Sequence, residues 1–344
     1  IDRARLLEVS GLSNIKMIAA GNGHTIAIEQ NGTIWKWGQN PYGQFGNGTT
    51  QNSYSPNNEF KVKTLNTKIS SGLSHTIMVN EDGTVSTWGN NLYGQLGDST
   101  NTNSVNAVAV IGLNNIVEVT AGEYSSFALD KDGKVWAWGR NSWSMLGDKT
   151  DTDRNIPVKL QDLSNIVKIS ANHQHVLALD KDGNVYTWGV NPNGELGNGG
   201  YGADNHPVKI NNIPNVIDIS AGKNFSLAVD STGTIWSWGN NNYCKMGIAD
   251  SGNYPTPVKT TITGVNSVAA GENHSMATDQ YGNVYTWGMN NDFGQLGTTT
   301  IINYTPQPQR LALTGINNII TKSNTSIAIA VSYTHLRAHE TGAY

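Results

Sequence analysis

The chain has 344 residues and a formal net charge of -4, with 38 glycines, 10 tryptophans and only 14% charged residues. The length suits one β-domain, while the aromatic content and low net charge exclude a disordered chain and a strongly basic nucleic-acid binder. No apolar run approaches the ~18 residues of a membrane-spanning helix, and the single cysteine, Cys244, excludes an internal disulfide.

A phrase of about 50 residues recurs along the chain. It contains an Ala-Gly pair, a His-Thr or His-Ser pair, an Asn-Gly or Asp-Gly turn, a Trp-Gly pair and a Tyr-Gly-Gln-Leu-Gly loop. The six Trp-Gly pairs are 49 to 51 residues apart and begin at Trp37, Trp88, Trp138, Trp188, Trp238 and Trp287. This regular period predicts a fold built from repeated units rather than six separate active sites.

The third repeat shows the expected elements in chain order. Residues 116–120 predict a first strand and residues 127–129 a second, and Asp132-Gly133 is typical of a tight hairpin turn. Residues 134–138 predict a third strand. Pro157 begins a Pro-Val-Lys phrase on a fourth, outer strand, where the missing N–H of proline is tolerated. Four strands in about 50 residues predict a β-propeller blade.

The two ends of the chain predict a shared last blade. Residues 318–330 match the first two strands of a seventh repeat, and residues 4–12 match a fourth strand. We therefore expect an all-β, seven-bladed propeller over residues 1–331, closed by the N-terminal strand. Residues 332–344 have no Asp-Gly turn and no Trp-Gly pair. They are expected to be a non-native or misassembled tail, which leaves the seventh blade without its third strand.

These phrases resemble the regulator of chromosome condensation repeat over residues 4–331. The resemblance implies a seven-bladed propeller. Members of this family include an exchange factor for a nuclear GTPase, an ultraviolet-B photoreceptor and domains of ubiquitin ligases, and a related bacterial propeller inhibits β-lactamases. In the photoreceptor the repeat reads Gly-Trp-Arg-His-Thr, whereas this chain has no tryptophan just before the repeated histidine position.

The expected function is a non-enzymatic protein-interaction scaffold that displays variable loops on a rigid ring. Two alternatives stay open, namely a guanine-nucleotide exchange factor and an inhibitor of a secreted bacterial enzyme such as a β-lactamase. We expect a monomer with a protein partner, without nucleic acid, membrane insertion, cofactor or metal. The regularity of the repeats resembles secreted or surface-anchored bacterial members, so an extracellular or cell-surface location is favoured over a cytoplasmic one.

Two repeats lose the Gly-Gln of the loop and supply candidate partner-binding residues. Interface hot spots favour Trp, Tyr and Arg, so Arg140, Trp143, Tyr243 and Lys245 are proposed as a binding patch. The opposing interpretation is that Trp143 and Tyr243 only fill the aromatic position of the loop. The repeated residues His24, His75 and His274, together with the six tryptophans of the Trp-Gly pairs, are expected to be structural.

Other chemistry has weaker support. His173 and His175 would share one face of a strand and could donate two metal ligands, but His175 occupies the repeated histidine position. Asp130 and Asp132 resemble the start of a calcium loop, yet they lack the remaining ligands. Cys244 replaces a loop glycine, and no nucleophile elbow or phosphate-binding loop is present. No catalytic residue is therefore predicted.

Overall fold

The computed structural model describes residues 7–61, 67–290, 294–298, 303–330 and 336–339. In these residues the regular elements are β-strands, apart from single 3-10 turns at Ser142–Ser144 and Asn242–Cys244. The first strand, β1, is the short segment Leu7–Glu8. The all-β prediction is confirmed. Within the described segments, no helix is long and apolar enough to cross a lipid bilayer.

In the described part of the chain, six antiparallel blades are each built from four consecutive strands. Blade one contains β2 (Ile15–Ala20), β3 (His24–Glu29), β4 (Thr33–Gly38) and β5 (Ser53–Lys61). Blade two contains β6 (Lys68–Ser71), β7 (His75–Val79), β8 (Val85–Gly89) and β9 (Ser104–Ala109). Blade three contains β10 (Ile116–Ala121), β11 (Ser125–Asp130), β12 (Val135–Gly139) and β13 (Arg154–Lys159).

The next three blades repeat this order. Blade four contains β14 (Ile166–Asn172), β15 (His175–Asp180), β16 (Val185–Gly189) and β17 (Asp204–Lys209). Blade five contains β18 (Val216–Ala221), β19 (Phe225–Asp230), β20 (Ile235–Asn240) and β21 (Asn253–Lys259). Blade six contains β22 (Val265–Ala270), β23 (His274–Asp279), β24 (Val284–Met289) and β25 (Tyr304–Arg310).

A further four-stranded sheet, here called the closing sheet, joins the two ends of the chain. It has the order β1, β28 (Leu336–His339), β27 (Thr325–Ala330) and β26 (Ile316–Lys322). In this sheet Leu7 pairs with Ala338. The N-terminal strand therefore meets the C-terminal sheet, as the sequence predicts.

The expected absence of a third strand in this sheet is wrong. Leu336–His339 lies inside the segment 332–344 that the sequence analysis set aside, yet it pairs with β27. The physical reason is that an exposed strand edge offers unpaired N–H and C=O groups to any extended segment, with no need for a turn motif. Residues 331–335 and 340–344 lie outside the described residues. The expected non-native origin of the tail stays a prediction.

The apolar core is divided among the contacts between neighbouring sheets. Leu177 of blade four packs in one cluster with Trp238 of blade five. Another cluster contains Trp37 of blade one and Ile327 of the closing sheet. Blade six meets the other side of the closing sheet through a cluster that contains Leu313. Because each sheet is covered on both faces, few charged residues are needed, which explains the low charge of the chain.

Antiparallel connections place the loops at two ends of the ring. The turns from first to second strands and the loops from third to fourth strands lie at one end, which we call the loop face. The Asp-Gly hairpins lie at the opposite end. The first strands of all the sheets surround a central channel, which therefore opens on the loop face.

The glycine of the Trp-Gly pair supplies the first stability test. Gly89 has φ 104°, and a Cβ there would lie 2.5 Å from the Ser74 carbonyl oxygen. We expect Gly89→Ala to lower the free energy of unfolding by about 3 kcal/mol through the clash and the backbone strain. Gly112 has φ 75° and open space around it, so Gly112→Ala should cost only about 1 kcal/mol. Urea unfolding of both variants tests this, and equal losses would contradict the close-contact argument.

Candidate functional site

The repeated histidines link neighbouring blades. His75 Nε2 lies 3.0 Å from Ser126 Oγ in the next blade, and the Ser126 hydroxyl donates to the Gln95 carbonyl at 2.8 Å. Since the hydroxyl proton is used there, we assign the proton of the His75 ring to Nε2. Trp138 Nε1 donates to the same Gln95 carbonyl at 2.9 Å. One carbonyl thus joins blades two and three through two hydrogen bonds.

The same relay recurs around the ring. Its histidine, hydroxyl and carbonyl groups are His24–Thr76–Gln44, His175–Ser226–Glu195 and His274–Ser326–Gln295. Burial is the main cause that lowers the pKa of His24, His75 and His175 to about 3. All six tryptophans of the Trp-Gly pairs are at most 1% exposed. The repeated histidines and tryptophans thus lie inside blade contacts, so they are not available to a partner.

Arg140 is held by two aromatic rings on the loop face. Its guanidinium carbon lies 5.0 Å from the ring centre of Tyr93 and 5.6 Å from that of Tyr124. The two tyrosine rings contact each other edge to face, with 5.2 Å between their centres. Such cation–π stacking keeps a charged side chain in one orientation. Tyr93 and Tyr124 were missed as partners of Arg140, because the sequence alone does not show that loops of blades two and three meet.

The proposed four-residue patch is not one surface. Trp143 is 65% exposed and Tyr243 is 45% exposed, but they belong to blades three and five, and blade four lies between them. Lys245 is only 2% exposed, so its assignment to an exposed patch is wrong.

Lys245 is instead a buried structural cation. Its Nζ donates to the carbonyls of Lys223 at 2.9 Å and Glu272 at 3.2 Å, and it lies 5.0 Å from the centre of the Phe225 ring. Burial lowers the pKa of Lys245 to about 8. The physical reason for the error is that this loop position, which is Gln95 in blade two, points beneath the turn rather than outwards.

Trp143 has a left-handed backbone conformation that Tyr243 shares among the described loops, where Tyr243 (φ 62°) and Cys244 (φ 57°) are also both left-handed. At the corresponding two loop positions of blades one and two, only the second residue, Gly43 or Gly94, has positive φ. In blade three the glycine is replaced by Ser144, and both Trp143 (φ 67°) and Ser144 (φ 63°) are left-handed. Left-handed residues other than glycine cost about 1–2 kcal/mol each. The loop therefore stores strain while presenting a large apolar ring to solvent.

This strain supplies a second stability test. We expect Ser144→Gly to raise the free energy of unfolding by about 1 kcal/mol, because glycine adopts positive φ without steric cost. The matched reverse change, Gly94→Ser, should lower it, since a Cβ at Gly94 would lie 2.5 Å from Asn155 Cα. Thermal unfolding of the two variants measures whether each substitution stabilises or destabilises the protein. A destabilised Ser144→Gly protein would show that the serine side chain, not backbone strain, dominates.

A ring of side chains surrounds the channel mouth on the loop face. Each comes from the residue that follows the glycine position of the Ala-Gly pair, and together they border a cavity of about 140 Å³. These residues are Asn22, Leu73, Glu123, His173, Lys223, Glu272 and Ser323. Backbone hydrogen bonds connect neighbours in this ring, such as Leu73 N to the Glu123 carbonyl at 3.0 Å. No sequence motif singled out this ring, although the register of the Ala-Gly pairs locates it.

The charges at the mouth are partly paired. Lys223 Nζ and Glu272 Oε1 form an ion pair at 2.5 Å, and His173 Nε2 lies 3.5 Å from Glu123 Oε2. Burial is the main cause that lowers the pKa of His173, which disfavours the charged form of this ring. The two residues that also line the cavity, Asn172 and Lys322, occupy the glycine position itself.

Below the mouth the channel continues as a space of about 530 Å³ lined by the first strands. Here Lys168 pairs with Asp218, and the second oxygen of Asp218 accepts the Val268 N–H at 2.9 Å. Burial raises the pKa of Glu118 to about 7. The channel thus contains charged groups that hold neighbouring blades together.

The remaining candidates for chemistry do not converge. His173 lies in a turn with φ 32° and faces Glu123, whereas His175 contacts Ser226, so the two rings do not form a metal-binding pair. Across the described segments, no group of three or more His, Cys, Asp or Glu residues could hold a metal ion. Cys244 is buried, and burial raises the pKa of its thiol. That shift is opposite to the one a nucleophilic cysteine needs.

Comparison with known proteins identifies a family and several proteins to which this chain is similar. The family model described as "RCC1-like domain" matches residues 60–336. The model of the regulator of chromosome condensation (RCC1) repeat matches residues 31–79. The chain is similar to the ultraviolet-B receptor UVR8 of Arabidopsis thaliana, with 38% identity over 84 residues. It is also similar to the Danio rerio protein RCC2 homolog, with 35% identity over 105 residues.

These matches are partial. The matched regions cover 24% and 29% of this chain but only 19% and 21% of the two relatives. Among solved structures, human WBSCR16 has a TM-score of 0.83 at 20% identity, with 93% of this chain and 88% of that chain covered. Prp20p of Saccharomyces cerevisiae, described together with its binding to Gsp1p and histones, has a TM-score of 0.80 at 23% identity, with 92% and 83% covered. At such identity these two structures show the shared fold.

Proposed function

Because this chain belongs to the RCC1-like domain family, we propose that it is a non-enzymatic protein-interaction module that binds a partner on its loop face. The observation that carries this proposal is Trp143, which is 65% exposed in a loop with two successive left-handed residues. Backbone strain of this kind concentrates at functional positions. A loop with only a structural role would be expected to keep the unstrained glycine of blades one and two.

The surroundings of Trp143 fit a binding surface. Interface hot spots are rich in Trp, Tyr and Arg, and Arg140 in the same loop is fixed over Tyr93 and Tyr124. A side chain that is already ordered loses little conformational entropy when a partner binds. We therefore place the centre of the surface on blades two and three. Tyr243, two blades away, would lie at its edge or outside it.

The test compares two exposed aromatic residues at opposite ends of the ring. Trp143→Ala removes the proposed anchor, whereas Tyr281→Ala removes a 75% exposed ring at the hairpin between β23 and β24. We expect proteins from the source cells to be retained by immobilised wild-type and Tyr281→Ala protein and lost from Trp143→Ala protein. Retention of the same proteins by Trp143→Ala, with the fold intact by circular dichroism, would refute a binding role for this loop.

The first alternative, nucleotide exchange on a small GTPase, comes from the family resemblance. An exchange factor would accelerate release of labelled GDP from a purified GTPase, whereas the proposed module should leave that rate unchanged. Acceleration that is lost in Trp143→Ala would replace the scaffold proposal by the exchange proposal. The second alternative, inhibition of a secreted enzyme such as a β-lactamase, predicts a tight complex with the purified hydrolase and loss of its activity.

We also propose that the closing sheet acts as a seventh blade and that the protein is an extracellular or cell-surface monomer. The apolar clusters that join the closing sheet to blades one and six support the first point. Amide exchange tests it directly. Protection in Ile316–Lys322 should match that in Val216–Ala221 of blade five, and much faster exchange in the closing sheet would mean that the ring opens there.

A further inference from the structure

Two side chains enter the channel mouth where the repeat otherwise has glycine. The position holds glycine in blades one, two, three, five and six, and a Cβ on Gly72 would lie 2.2 Å from a ring atom of His75. Blade four has Asn172 and the closing sheet has Lys322 instead. Both are accommodated because their strands extend by one residue into a hairpin, in which Lys322 pairs with Thr325. These departures place two polar side chains at the channel mouth.

Lys322 crosses the channel and forms no ion pair with the described residues. Its Nζ donates to the carbonyl of Ala121 in blade three at 3.1 Å. This is the ammonium's one hydrogen bond to the described residues, so two of its three N–H donors remain for another acceptor. Lys322 borders both the small cavity at the mouth and the longer channel. Its charge is thus presented to the floor of the small cavity.

The opposite charge lies two residues beyond Ala121. The Glu123 carboxylate borders the same cavity, and its ion-pair contact within the described residues is His173 Nε2 at 3.5 Å. Burial lowers the pKa of His173 and disfavours its charged form, so this contact does little to balance the carboxylate charge. Lys223 and Glu272 neutralise each other. The cavity therefore holds one cation and one anion that are not in direct contact.

We propose that the channel mouth binds a small zwitterion of the α-amino acid class. Its carboxylate binds Lys322, and its ammonium group binds Glu123. The volume of about 140 Å³ suits a molecule of about six non-hydrogen atoms, since an apolar cavity of roughly that volume holds one benzene. The free N–H of the Asn172 amide, whose other N–H faces the Ala270 carbonyl at 3.4 Å, is a further donor to the carboxylate. The site requires no protein partner and is independent of the proposed function.

The test uses glycine as the probe, with acetate and methylamine as its two halves. Binding is measured by NMR titration and isothermal calorimetry with the full chain. We expect glycine to bind at least tenfold more tightly than either half. Lys322→Met and Glu123→Gln should each weaken glycine binding at least tenfold. The control is Lys68→Met, which removes an exposed lysine at the far end of the channel and should leave the affinity unchanged.

The variants separate this site from simpler ones. If acetate binds as tightly as glycine and Glu123→Gln strengthens both, the cavity is an ordinary anion site and the proposal is wrong. If glycine does not bind the wild-type protein at millimolar concentration, the proposal is also wrong. Should Lys322→Met fail to fold, Glu123→Gln still decides the question. Unchanged glycine binding by that variant would show that the ammonium group of glycine does not contact Glu123, and the proposal would be wrong.

Discussion

Lowering the pH from 7 to 5 is expected to lower the free energy of unfolding by roughly 3–4 kcal/mol. The pKa values of His24, His75 and His175 are about 3 in the folded protein, against the ordinary histidine value of 6.5. As the pH falls below 6.5, the unfolded chain binds a proton at each of these three histidines, which the folded chain does not. Each histidine accounts for about 2 kcal/mol of this loss over the interval.

Glu118 acts in the opposite direction. Burial raises its pKa to about 7 from the ordinary glutamate value of 4.5, so the folded state gains a proton before the unfolded state does. This stabilises the fold as the pH falls from 7 to 4.5 and offsets about 2 kcal/mol of the histidine effect. The net loss in the free energy of unfolding therefore equals the effect of about two of the three histidines. The contribution of the three histidines to the stability of the fold is fully present above pH 7, and it is lost as the pH falls towards 3.

Urea unfolding at pH 7, 6 and 5 measures this dependence. His75→Gln should reduce the loss between pH 7 and 5 by about 2 kcal/mol, because one of the three protons is removed from the balance. The control is His206→Gln, which changes an exposed histidine and should leave the pH dependence unaltered. An NMR titration in which the His75 ring of the folded protein titrates near pH 6.5 would contradict its burial as a neutral group.

Replacing Trp138 by alanine is expected to lower the free energy of unfolding by about 3–5 kcal/mol, the usual cost of removing a buried aromatic side chain. Trp138 is fully buried between blades two and three, and its Nε1 holds the Gln95 carbonyl. Trp143, five residues later, is 65% exposed. Trp143→Ala should therefore change stability by no more than about 0.5 kcal/mol.

Chemical unfolding of the two alanine variants gives the comparison, with equal m-values as the sign that both unfold in the same way. Trp138→Phe refines it, because phenylalanine keeps an aromatic ring but leaves one donor fewer on the Gln95 carbonyl. That variant should lie between wild type and Trp138→Ala. A Trp143→Ala protein as unstable as Trp138→Ala would show that the exposed ring supports the fold, and it would also weaken the proposed binding role.

Local sequence patterns determined the repeating unit. Asp132-Gly133, the Trp-Gly pairs and the Pro-Val-Lys phrases each report short-range hydrogen bonding or packing that recurs every 50 residues or so. The blades, the burial of the repeated tryptophans and the pairing of the N-terminal strand could therefore be predicted. Leu336–His339 could not, because a strand that completes an open edge needs only an extended backbone and carries no turn signal.

Contacts between blades decided the site, and they join residues that are distant in the chain. Trp143 and Arg140 could be singled out because they depart from the loop pattern, but Lys245 departs from it in the same way and is buried. The direction of a side chain depends on backbone angles and on the neighbouring blade, which the loop motif does not specify. Glu123 and Lys322 are about 200 residues apart in sequence, and only ring closure brings them to one cavity. The sequence by itself thus determined each blade, whereas the charge pattern of the channel mouth was decided by the closed ring, because each blade contributes only one or two residues to it.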